Sequence, residues 1–144
     1  MQDRFQAFVT GISVCYKYIQ KIKSVEMTEF GLKGAHAMCL FFLHSHPEGL
    51  TAAQLSQLCA EDKAAVSRSL ASLAEKGYIE SDEKKYRSRI RLTEQGKQVA
   101  VHIDEMIERW VESGGDGLSE ENREAFYSSL ELISNNLRDH LEEM

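Results

Sequence analysis

Apolar side chains at Phe5, Phe8, Ile12, Cys15, Ile19 and Ile22 recur in alternating steps of three and four. That spacing is the mark of a helix with a narrow apolar seam and predicts one over 4–23. Gly31 and Gly34 interrupt the pattern. A second, more uniformly apolar helix is predicted over 33–44, ending before Pro47 and Gly49, because a residue preceding proline is pushed out of the helical region. Thr51-Ala52-Ala53-Gln54 has capping-box spacing: the threonine hydroxyl accepts from a backbone N–H and the glutamine reaches back. It opens a short helix with Leu55 and Leu58 turned inward. Glu61 and Asp62 end that helix, and Asp62 caps a further one running to about Lys76, before Gly77.

The period then changes to two. Residues 78–82 and 86–92 read as short strands joined by the charged turn Glu83-Lys84-Lys85. Alternation in the second strand assigns Arg87, Arg89 and Arg91 to one face and Tyr86, Ser88, Ile90 and Leu92 to the other. Thr93 caps a long helix to about Val111 with a seam at Val99, Ile103, Met106 and Trp110. Gly114-Gly115-Asp116-Gly117 is a loop, and Ser119 begins a last helix with Phe126, Leu130, Ile133, Leu137 and Leu141 at heptad-like steps. The expected fold is mainly α with one small β-hairpin.

Composition narrows the class. The 144 residues are 42% hydrophobic with a single proline, which suits a folded helical domain and excludes a disordered chain. The longest apolar run, 37–43, is far short of the roughly 18–20 residues that span a membrane. Neither an apolar leader region nor a small-residue cleavage site follows the start, so a cytoplasmic protein with no membrane role is expected. Three cysteines at unrelated spacings do not make a disulfide framework. Net charge is −6, yet residues 63–97 hold nine basic against five acidic residues, so this block is +4 and the remainder −10. A basic centre between acidic ends is an electrostatic footprint for an anionic partner.

Helix, short helix, tight turn, helix and hairpin, in that order, is the arrangement of a winged helix-turn-helix. Leu55 and Leu58 on one short helix and Val66, Leu70 and Leu73 on the next supply the apolar link between them. The front of the second helix presents Lys63, Ser67, Arg68 and Ser69, with the small Ala64 and Ala65 permitting close approach. A recognition helix reads bases from its N-terminal turns, where arginine matches guanine edges or phosphate and serine hydroxyls serve either.

The runs Leu50-Thr51-Ala52-Ala53-Gln54-Leu55 and Asp62-Lys63-Ala64-Ala65-Val66-Ser67-Arg68-Ser69-Leu70 resemble the multiple-antibiotic-resistance-regulator (MarR) family. So do Leu73-Ala74-Glu75-Lys76-Gly77-Tyr78-Ile79 and, after the hairpin, Leu92-Thr93-Glu94-Gln95-Gly96-Lys97. The resemblance implies a single domain over 1–144, with the winged helix-turn-helix at about 33–97 and dimerisation helices at 1–24 and 98–144. It further implies a homodimer that binds a pseudopalindromic double-stranded DNA operator, as a repressor modulated by a small-molecule effector. The residues expected at DNA are Lys63, Ala64, Ser67, Arg68 and Ser69 on the helix, with Lys84, Lys85, Arg87 and Arg89 on the wing. Arg87 is the candidate for the minor groove. The family's wing often carries an Asp-Arg-Arg tip, where this chain has Asp82-Glu83-Lys84-Lys85-Tyr86-Arg87.

Three kinds of switch follow from the resemblance. An effector pocket is expected near Tyr16, Phe30, His36 and Met38. The zinc-sensing branch is similar in having a histidine near His36 and ligands on the long helix, which makes His36, Cys39 and His102 the residues to examine. No dense carboxylate–histidine cluster accompanies them, so neither metal nor cofactor is assigned. Hydroperoxide-sensing members carry a cysteine near the first helix, where Cys15 lies on the apolar seam and reads as core. An enzyme is not expected, because nucleophile elbow, Walker loop and dinucleotide fingerprint are all missing from the sequence. A protein-binding winged helix would suit the overall charge; the concentration of basic residues in 63–97 favours DNA.

Overall fold

The computed structural model describes residues 2–83 and 86–144. Six α-helices, a short 3-10 helix (Thr28–Phe30) and a two-stranded antiparallel sheet occur among them: α1 (Gln2–Met27), α2 (Gly34–Ser45), α3 (Ala52–Cys59), α4 (Lys63–Glu75), β1 (Ile79–Ser81), β2 (Ile90–Leu92), α5 (Glu94–Gly114) and α6 (Glu120–Glu142). The chain divides into two compact units, one ending at Met106 and one running Ile107–Met144. No helix among the described residues is long and apolar enough to cross a membrane.

In the first unit α2 is the central element, packed against α1, α3, α4 and β2. Its Ala37, Cys39, Leu40 and Leu43 are buried together with Leu55 of α3, Val66, Leu70 and Leu73 of α4, and Val99, Ala100, Ile103 and Met106 of α5. The helix boundaries follow from local capping. Thr51 Oγ1 accepts from Gln54 N at 3.2 Å while Gln54 Oε1 accepts from Thr51 N at 2.9 Å. Asp62 Oδ1 accepts from Ala65 N at 2.7 Å, and Thr93 Oγ1 from Gly96 N at 3.1 Å. Each bond satisfies an N–H that the first turn of a helix leaves free. Between α3 and α4 the chain turns through Ala60, held at φ 53°, a left-handed conformation unusual for a residue with a Cβ.

The hairpin pairs Ile79 with Leu92, Glu80 with Arg91 and Ser81 with Ile90. Leu50 adds a bridge to Ile90, with N–H to O distances of 3.0 and 2.8 Å in the two directions. Gly49 beside it has φ 94°, and a side chain there would press on the Ile90 carbonyl and on Arg89 and Arg91. Gly96 performs a similar service at the root of α5, where a Cβ would run into the Tyr78 carbonyl.

Several expectations are corrected. Helix α1 extends to Met27 and α5 to Gly114. The strands are three residues each, not five and seven. Arg87 adopts φ 49°, which breaks the alternation, and Tyr86 is 78% exposed rather than on a core face. Leu58 is 41% exposed, so Leu55 alone carries the apolar side of α3 inward.

The second unit contains the end of α5, the glycine-rich loop and α6. Ser119 Oγ caps α6 by accepting from Asn122 N at 3.1 Å. Arg123 lies 3.6 Å from Glu112. No described residue of α6 is buried.

Candidate nucleic-acid interface

Helix α4 has two unlike sides. Val66, Ser69, Leu70 and Leu73 face the core, while Lys63, Ala64, Ser67 and Arg68 are exposed on its first two turns. Ala64, Ser67 and Arg68 fall at i, i+3 and i+4 and so share one face. Among the described residues neither Lys63 nor Arg68 is held by a hydrogen bond or ion pair. Ser69, expected at DNA, is only 7% exposed and belongs to the inner side. Its position three residues after Val66 already carries that signal.

The wing distributes its arginines differently from the alternation. Arg89 donates from Nη1 to the Gly49 carbonyl at 3.0 Å. Arg91 meets Asp82 Oδ1 at 2.6 Å. Ser88 Oγ donates to the Asp82 carbonyl at 2.9 Å. These bonds fasten the wing at its root. Arg87 is exposed, with its guanidinium 5.4 Å from the centre of the Tyr86 ring. Arg89 is also exposed and retains donors beyond the one bonded to Gly49. Lys84 and Lys85 lie outside the described residues.

The four residues expected to form an effector pocket do not gather in one place. Tyr16 and Met38 line a cavity of about 160 Å³ with Gln20, Lys23, Cys39 and Cys59. The Gln20 Oε1 atom is buried without a hydrogen-bond partner. Phe30 instead packs on His102, ring centres 5.5 Å apart. His36 Nδ1 accepts from Lys33 N at 3.0 Å and so belongs to the start of α2. Burial, reinforced by the charges of Lys33 and Lys76, holds the His36 imidazole below its ordinary pKa. His36, Cys39 and His102 do not converge, and no cluster of three metal-ligating side chains occurs among the described residues. Cys15 is exposed, not core. A second cavity, about 360 Å³, is lined by Leu43, His44, Pro47, Arg91 and Lys97 among others. His44 Nδ1 at its edge lies 2.8 Å from Asp104.

Sequence reasoning missed one juxtaposition altogether. Cys39 and Cys59 line one cavity and perturb each other: the Cys59 side chain and burial push the Cys39 thiol up, while Cys39 brings the Cys59 thiol down. Twenty residues separate the two, and no spacing pattern marks such a pair.

Two short helices at a tight turn, an exposed basic front on the second and a hairpin rooted behind them define a winged helix-turn-helix protein. Residues 30–87 match the family model described as "MarR family". Three solved structures show how far the fold extends. A MarR transcriptional regulator from Methanosarcina mazei Go1 superposes with TM-score 0.82 at 23% identity, over 96% of this chain and 92% of its own. The S. aureus MepR–DNA complex gives 0.82 at 19%, over 92% and 97%. A MarR family regulator from Listeria monocytogenes, complexed with 26mer DNA, gives 0.81 at 20%, over 91% and 89%. None of the curated proteins matches the chain in sequence. Residues 30–87 thus match the MarR family model, and over nearly its whole length the chain shares the fold of these MarR structures.

Proposed function

We propose that this protein is a MarR-family DNA-binding transcriptional regulator, a homodimeric, sequence-specific repressor of a pseudopalindromic operator, with α4 in the major groove and the wing alongside. The observation that carries this reading is the unengaged basic front of α4, fixed from behind by Val66, Leu70 and Leu73. Arg68 and Ser67 face base edges, Ala64 permits close approach, and Lys63 faces phosphate. Arg87 reaches the minor groove, with Arg89, Lys84 and Lys85 on the backbone. The relatives from S. aureus and L. monocytogenes are proteins solved with DNA, which supports the same use here.

Dimerisation rests on the terminal helices. Phe5 of α1 and Leu141 of α6 are each 68% exposed, and Ile12, Phe126 and Leu137 are exposed too. Apolar seams on helices at both ends of the sequence are what a second copy would cover. Residues 1–24 and 98–144 are therefore assigned to the dimer, and 33–97 to the DNA-reading part of one domain. Repression follows from occlusion, the simplest outcome for a small dimer covering a promoter. The cavity of about 360 Å³ beside the wing root is the place for a small-molecule effector, since ligand pockets begin at roughly 300 Å³.

The test is binding of the purified protein to DNA from upstream of its own coding region, titrated with salt against a scrambled duplex. Three or four phosphate contacts per protomer give a loss of roughly a thousandfold or more between 50 and 200 mM salt. Equal, weak binding to both duplexes would favour a protein-binding winged helix instead.

A further inference from the structure

We infer that Lys23, in the wall of the cavity between α1, α2 and the α3–α4 turn, is a site of reversible imine formation with a small, uncharged aldehyde. Tyr16, Gln20 and Lys23 follow one another at i, i+4 and i+7 on α1 and share the face that lines this cavity of about 160 Å³. Met38 of α2 and Ala65 and Val66 of α4 supply apolar wall. Lys23 is only 9% exposed, yet among the described residues neither a hydrogen bond nor an ion pair holds its side chain. Lysine is almost never buried without a partner. One turn away, Gln20 Oε1 is buried and has no donor. This wall therefore leaves both a donor and an acceptor unmet, which buried polar groups seldom are.

The lining selects the ligand. An anion would be repelled by the Glu61 carboxylate, which also borders the cavity, and a cation by Lys23. A neutral carbonyl compound escapes both, and offers the amine an electrophilic carbon. The volume sets the size. Pockets for drug-sized ligands begin at roughly 300 Å³, so the occupant here is a short aliphatic aldehyde with its chain against Met38 and Val66. Burial also favours the reactive form: an attacking lysine must be neutral, and removal from water pulls the Lys23 amine below its ordinary pKa, against the charges of Glu61 and Cys59.

The step balances without an oxidant or reductant. Lys23 Nζ attacks the carbonyl carbon, the C=O π pair moves to oxygen, and one N–H proton passes to that oxygen, giving a carbinolamine. The nitrogen lone pair then expels hydroxide, the second N–H proton leaves with it as water, and a C=N bond remains. One amine and one aldehyde give one imine and one water.

This site is distinct from the larger cavity beside the wing root and from the exposed front of α4, and its chemistry is read without DNA. Failure of the operator assignment and failure of this one are thus separable.

The experiment incubates the folded, full-length protein with butanal at neutral pH and sodium cyanoborohydride, which reduces the imine to a stable butylamine. Mass spectrometry then follows each lysine over time. Lys23 is expected to be butylated first, several-fold faster than Lys17 and Lys21, which are exposed on the same helix. Lys23→Met keeps the bulk, removes the amine, and loses the fast site while the other rates stay unchanged. Ala65→Leu keeps the amine but fills the cavity, and slows Lys23 to the rate of the exposed lysines or below. Unfolding in urea abolishes the preference. Labelling in order of exposure, with Lys23 last, overturns the inference, and so does a fast Lys23 that Ala65→Leu does not slow.

Discussion

Replacing Gly96 with alanine sets two physical effects against each other. Gly96 lies in the first turn of α5, and alanine is favoured over glycine in a helix by about 1 kcal/mol. Propensity alone therefore predicts stabilisation. The packing predicts the opposite. An added Cβ collides with the carbonyl oxygen of Tyr78, comes within 3.0 Å of the carbonyl carbon, and sits 3.3 Å from Leu92 Cδ2. That carbonyl accepts from Thr93 N at 3.1 Å, and Thr93 Oγ1 in turn donates to the Gly77 carbonyl at 2.7 Å. Relief requires the start of α5 to back away from the hairpin, which loosens these bonds. Overpacking costs typically 1–3 kcal/mol and a weakened hydrogen bond about 0.5–1.5 kcal/mol. After subtracting the helix gain, Gly96→Ala should destabilise by about 0.5–3.5 kcal/mol, lowering Tm by about 2–12 °C. Thermal and urea unfolding followed by circular dichroism measure this directly. Gly11→Ala in α1 is the control, because no atom outside its own helix lies within 4 Å of the added Cβ, and it should leave stability unchanged or raise it by up to about 1 kcal/mol. A Gly96→Ala protein as stable as wild type would refute the claim that close approach, not helix propensity, governs this position.

Three further outcomes are expected. Arg68→Glu should weaken operator binding by at least tenfold and flatten the salt dependence while leaving the dimer intact; unchanged binding would remove Arg68 from the interface. Leu137→Glu on the exposed seam of α6 should raise the dimer dissociation constant by about 30-fold or more, as loss of a central apolar contact does, visible as a monomer in light scattering. Because the His36 imidazole is held below its ordinary value of 6.5, the unfolded chain takes up the proton first. Stability is therefore full above pH 6.5 and declines as pH falls from there toward the folded-state pKa. His36→Asn keeps an acceptor for Lys33 N and should flatten that decline; a variant with the wild-type pH profile would place the dependence elsewhere.

The parts of this molecule visible in its sequence are those decided within a few residues. The caps at Thr51, Asp62, Thr93 and Ser119 act over three positions, so their side chains announce the helix starts unaided. The buried positions of α4 and α5 follow helical periodicity for the same reason. The wing was misread because seven alternating residues cannot reveal that Arg87 takes a left-handed conformation, or that Asp82 and the Gly49 carbonyl engage Arg91 and Arg89. Those partners lie 9 and 40 residues away. The helical seam containing Cys15 was legible, but not its exposure, which depends on what packs over α1. The shared cavity of Cys39 and Cys59 needs the crossing of α2 and α3, which no local rule supplies.

The bridge between Leu50 and Ile90 has a topological consequence. The chain enters the segment proposed to read DNA at Leu50 and leaves it at Ile90, and these two residues are hydrogen-bonded to each other in both directions. Roughly forty residues, including α3 and α4, thus form a closed loop with coincident ends. Such a loop behaves as a cassette: its exposed residues can change while its points of attachment stay fixed. Within it the exposed positions of α4 are free to vary, while the buried Leu55, Val66, Leu70 and Leu73 keep the loop seated on the core.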